Sequence, residues 1–181
     1  MLWGANIPTI TRLYADPHQA TAVIGPFGVV VWRGVTTPAA VARVRAAGVA
    51  ALELSPGGIG MIGVVEQGAQ VPDAECRRLS AQVNDELASM GVVGLAAVMP
   101  MSGFTGACMR GVVTGLNLLA RNRYPFRAYE SSAEACSWLS KLLSNSKTNW
   151  RATASVLDDF REEYRRIWSE RPDAQPIVWT T

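Results

Sequence analysis

The chain has one histidine, His18, and three cysteines, Cys76, Cys108 and Cys136. A Ser-His-Asp triad would depend on that single N-terminal histidine. The most suggestive hydroxyl, Ser102, lies in Pro100-Met101-Ser102-Gly103-Phe104 and not in a Gly-x-Ser-x-Gly elbow. The cysteines are odd in number and widely spaced, against a disulfide framework and against a CxxC-type zinc site. Cys76 and Cys136 fall on apolar helical stripes and read as core, and Cys108 has no histidine near it in sequence. Glu53 and Glu66 flank one apolar run and read as exposed end residues, not as an acid–base pair. The reading is a non-enzyme, with no cofactor and no metal expected.

Ser102 sits between an apolar run and a helical pattern, where helix amides favour negative charge. Ser102, Gly103 and Thr105 therefore form a candidate regulatory turn, with Ser102 as phospho-acceptor. The plainer role of Ser102 is an N-cap. Gly103-Phe104-Thr105-Gly106 could hold an anion or simply make a tight turn, and no Walker A pattern exists. Gly57-Gly58-Ile59-Gly60 precedes a strand, whereas a dinucleotide fingerprint must follow one. Gly111 and Gly115, with Ala107 a turn earlier, suit close helix–sheet packing. Arg121, Arg123 and Arg127, with Tyr124 and Phe126 between them, would suit an acidic or phosphorylated partner, or guard a sheet edge by charge.

These residues must be positioned by an α/β framework. Ala20–Ile24 and Gly28–Trp32 read as a strand pair around Gly25-Pro26-Phe27. Thr37-Pro38 starts a helix to about Leu54. Ile59–Val65 is a strand, and Pro72-Asp73 opens a second helix to about Met90, with Gly91 just beyond its end. Val92–Met99 is a central strand, a third helix runs to about Arg121, and Arg123–Glu130 contains a short edge strand. Ser131-x-x-Glu134 is a capping box for a helix to about Leu143. The alternation implies a mixed or mostly parallel sheet of four to five strands with packed helices. The expected organisation is an irregular segment over 1–20, an α/β domain over 21–143, a linker over 144–149, an amphipathic helix over 150–170 and a tail over 171–181.

That C-terminal helix carries Trp150, Leu157, Phe160, Tyr164 and Trp168 along one stripe, with charged residues opposite. A helix of this length is marginal alone, so the stripe should be buried against the domain itself, a second copy or another protein. Its five stripe residues are the candidate partner-docking set.

Charge argues against nucleic acid: 17 basic and 15 acidic side chains give a net charge of +2, without a basic segment. The uncharged stretch Met90–Met109 is interrupted by Pro100-Met101-Ser102-Gly103 and reads as buried elements, not as a membrane span. The N-terminus lacks a signal peptide's basic start and apolar core. A cytoplasmic location is the expectation.

Over roughly 21–143 the pattern resembles the STAS family, the anti-sigma-factor antagonist fold. The matching pieces are Val92–Met99, the Ser102-Gly103 turn, Phe104–Ala120, Phe126–Tyr129, and Ser132-Ala133-Glu134-Ala135 leading into Trp138-Leu139. Trp32-Arg33-Gly34 before the Thr37-Pro38 helix is also compatible. Two departures stand out. Met101 occupies the place where the family's regulatory turn usually has Asp, and the C-terminal aromatic helix is not part of the usual domain. The resemblance implies a non-enzymatic protein-interaction module of a bacterial-type signalling system, binding its partner near the Ser102 turn and the second and third helices. The alternatives are an assembly adaptor docking or self-associating through the aromatic helix, and a carrier of a small hydrophobic ligand, as in the related lipid-binding (CRAL-TRIO-like) variant of the fold.

Overall fold

A computed structural model describes residues 8–100, 123–143, 148–171 and 173–179. Among these residues the sheet has seven strands: β1 (Ile10–Ala15), β2 (Gln19–Ile24), β3 (Phe27–Trp32), β4 (Ile59–Val65), β5 (Val92–Val98), β6 (Phe126–Tyr129) and β7 (Ile177–Val178). The spatial order is β6-β5-β4-β3-β2-β1-β7. β3 to β6 run parallel to their neighbours, whereas β2 pairs antiparallel with β3, β1 with β2, and β7 with β1. The mixed, mostly parallel core matches the sequence reading, but the sheet exceeds four to five strands. β1 lies within 1–20, expected to be irregular, and β7 lies in the expected tail. β1 escapes a period-two reading because its pairing with β2 shifts register between Arg12 and Tyr14 and most of its residues are half-buried. β7 has two residues, too few to show a pattern.

Local chemistry sets the element ends. Gly25, at φ +55°, makes the two-residue turn that pairs Ile24 with Phe27. Helix α1 (Pro38–Leu54) begins with Thr37 accepting from the Ala40 N–H at 3.1 Å, and Pro38 fills the first helical position. Helix α2 (Ala74–Met90) is capped by Asp73 and ends on Gly91 at φ +119°. Helix α3 (Ser132–Leu142) starts with the expected box: Ser131 Oγ accepts from the Glu134 N–H and donates to the Glu134 carboxylate at 2.8 Å. Asn149 caps helix α4 (Trp150–Glu170).

Alternation along the strands divides the core into two layers. Phe27, Val29, Val31, Ile62, Val64, Ala96 and Val98 share one cluster with α3 and α4. Val30, Ile59 and Met61 share the other with residues of α1 and α2. Helices thus cover both faces, which is why the central strands read as continuous apolar runs. On the α4 side, the small residues Ala20 and Ala22 of β2 leave depth for large side chains. Leu157, Phe160, Tyr164 and Trp168 fill it, all buried. The C-terminal helix therefore shares one core with the sheet.

Candidate functional site

Two polar clusters join elements together. At the C-terminal end of β4, Glu66 accepts from Arg161 Nε at 2.8 Å, and Arg161 also reaches Asp158 Oδ1 at 2.8 Å. Buried Ser132 donates to the same Asp158 oxygen at 2.6 Å. The Arg161 and Glu66 side chains are only 11 % and 13 % exposed, so Glu66 is no exposed strand-end residue. Burial opposes the charge on Arg161, but its carboxylate partners outweigh that and hold its pKa above the usual arginine value. In the second cluster Asp16 accepts from the Tyr14 hydroxyl at 2.9 Å, from Arg43 at 3.2 Å and from the backbone N–H groups of His18 and Gln19. The Tyr164 hydroxyl donates to the Asp16 carbonyl at 2.8 Å. In both clusters every cation is matched by an acid, so they serve as clamps.

A third grouping differs. A groove of about 350 Å³ between β6 and α3 is lined by Arg127, Tyr129, Glu134, Trp138, Lys141 and Trp150, among others. β6 supplies Arg127 and Tyr129, which alternation places on one face. α3 supplies Trp138 and Lys141, three apart and so on one helical face, and α4 supplies Trp150 at its first turn. Tyr129 packs on Trp138 with ring centres 5.9 Å apart. The Arg127 guanidinium lies 5.7 Å from the Trp138 ring centre, and that of Arg151 lies 4.3 Å from Trp150. Burial pushes the Tyr129 hydroxyl above its usual pKa, partly offset by Arg127 beside it. Among the described residues no carboxylate lies within 4.0 Å of the charged groups of Arg127, Lys141 or Arg151, nor of Arg33, Arg77, Arg78, Arg166 or Arg171, whereas Arg12, Arg43, Arg45, Arg123, Arg161 and Arg165 all have one. The acid lining the groove, Glu134, is held by Ser131.

The other singled-out residues fall as follows. Ser102, Gly103 and Thr105 lie outside the described residues, as do Ala107, Cys108, Gly111, Gly115 and Arg121. Of the C-terminal stripe, Leu157, Phe160, Tyr164 and Trp168 are covered by the chain's own sheet, so they offer no free docking face. Trp150 is half-buried at the groove. Cys76 and Cys136 are buried with free thiols, and His18 is exposed. Arg123 is exposed near Asp85 at 3.8 Å, and Tyr124 is buried on the α1–α2 side. Sequence reading singled out Arg127 and, on the C-terminal stripe, Trp150, but did not bring them together or beside Trp138. Trp138 and Trp150 belong to separate helices, and only the α3–α4 packing brings both beside β6.

Among the described residues no group of His, Cys, Asp and Glu could hold a metal ion, and no helix is long and apolar enough to cross a membrane. No protein-family model, curated protein or solved structure matches the chain.

Proposed function

We propose that the chain is a non-enzymatic protein-interaction module with a STAS-like fold, of the kind used in bacterial-type signalling, and that its partner docks on the β6–α3 face. The observation that carries this reading is a groove at a sheet edge lined by two cations, Arg127 and Lys141, that have no acidic partner within 4.0 Å among the described residues, with the Arg127 guanidinium over the Trp138 ring. These cations are exposed, and together they favour an acidic surface. Support for the STAS-like assignment is the order β3, α1, β4, α2, β5, then β6 and α3, led by an antiparallel strand.

The test is retention of protein from a bacterial lysate on immobilised chain, compared with an Arg127→Ala/Lys141→Ala variant, followed by titration of the purified partner. A partner that binds the chain and loses about tenfold or more in affinity for the variant supports the reading, in line with alanine costs at interface centres. Partners that bind both equally contradict it.

A further inference from the structure

We propose that the groove takes an acidic peptide in extended conformation, added as a further strand on the β6 edge. This inference rests on the interaction reading above and names the partner's chemistry. The first support is the edge itself. The Leu95 N–H donates to the Pro125 carbonyl at 3.0 Å and the Met99 N–H to that of Tyr129 at 2.9 Å. In a parallel pair this parity turns the backbone of Arg127 toward β5 and the N–H and C=O of Phe126 and Ala128 away from it. Among the described residues β6 is the last strand on its side of the sheet, so those groups face a place where another strand fits.

The second support is charge complementarity. A strand laid beside β6 sends alternate side chains to the α3 face. There they meet Arg127 and Tyr129, with Lys141 and Trp150 also lining the groove. A guanidinium lying over an indole ring keeps its N–H edge free, so a carboxylate can take bonds from that edge while the ring holds the cation in place. Carboxylates at every second residue of the peptide match this array. β6 is four residues long, so the register covers about 13 Å at 3.3 Å per residue.

The experiment titrates the full chain against labelled peptides by fluorescence anisotropy. The probe alternates glutamate with valine, placing all carboxylates on one side of a strand. The controls have the same composition in Glu-Glu-Val-Val blocks, or alternate lysine with valine, and oligouridine stands for nucleic acid. The alternating acidic peptide should bind, with the block peptide weaker by about tenfold, the value of one lost charge-assisted contact. Affinity should fall as salt rises. Ala128→Pro should abolish binding, because the N–H it removes points outward and the β5 ladder keeps its bonds. Arg127→Glu/Lys141→Glu is the second variant, with exposed positions that leave the core alone, and it should also abolish binding.

Equal binding of the block peptide, preference for oligouridine, or binding unaffected by Arg127→Glu/Lys141→Glu would overturn the proposal. If the acidic peptides fail while a purified protein partner still depends on Arg127 and Lys141, this inference falls and the interaction reading stands. If no partner depends on those residues, both fall.

Discussion

Arg161 Nε donates to Glu66 Oε1 across 2.8 Å, joining the middle of α4 to the C-terminal end of β4. The same guanidinium holds Asp158, which in turn accepts from Ser132 at the start of α3. Three elements distant in sequence thus meet on one cation. The contact is largely shielded from water, so removing one member leaves the other with only its second partner, Asp158 at 2.8 Å for Arg161 or Arg165 at 3.7 Å for Glu66. Glu66→Gln or Arg161→Met should each cost about 2–4 kcal/mol, near the low end for a broken buried pair because both groups keep some exposure. The double variant should cost less than the sum. Urea unfolding checks this, and single costs under about 0.5 kcal/mol, the range of ordinary surface changes, would contradict it.

Phe160 is 3 % exposed and lies in the cluster containing Ala20, Ala22 and Val29. Phe160→Ala should cost about 3–5 kcal/mol. Ending the chain at residue 148 should uncover the β2 face and abolish the single cooperative transition. Calorimetry of both forms would show it, and an unchanged melting temperature in either would mean that the helix is not part of the core.

Gly48 tests the α1–α2 packing. A Cβ there would lie 2.6 Å from Leu87 Cδ2, and Leu87 is fully buried. Helix propensity alone favours Gly48→Ala by about 1 kcal/mol. Overpacking costs about 1–3 kcal/mol, so the net effect should be destabilising. A rise in stability would show that the helices separate more readily than the contact implies.

Burial, with a smaller contribution from the Asp158 charge, pushes the Cys136 thiol from an ordinary 9.0 up to about 12. The folded state therefore keeps its proton while the unfolded chain ionises. The stabilisation is complete below pH 9 and is lost as pH rises from 9 toward 12, at up to about 1.4 kcal/mol per pH unit. Urea midpoints between pH 8 and 10 should fall less steeply for Cys136→Ala than for the parent chain. Equal slopes would contradict this.

Helix starts were legible in the sequence because caps are local. Thr37-Pro38, Asp73 and the Ser131–Glu134 box act within one turn of the residues they cap. The buried strands were legible because parallel neighbours bury both faces of β4 and β5. β1 and β7 were not, since their order comes from pairing with each other and with β2, and neither has a clean alternation of its own. The partial burial of Glu66 was hidden for the same reason: Arg161 stands 95 residues away in sequence. At the groove Arg127 and Trp150 stood out separately but their meeting did not, because Trp138, Lys141 and Trp150 acquire a common position from the packing of α3 on β5 and α4.

Amide hydrogen exchange read by NMR tests the β6 docking claim most directly, comparing the chain alone with the chain saturated by the alternating Glu-Val peptide. The N–H groups of Phe126 and Ala128 should become protected on binding, while that of Arg127, which already faces β5, should change little. Unchanged exchange at Phe126 and Ala128, or protection confined to another face of the sheet, would contradict the assignment of this edge as the binding surface.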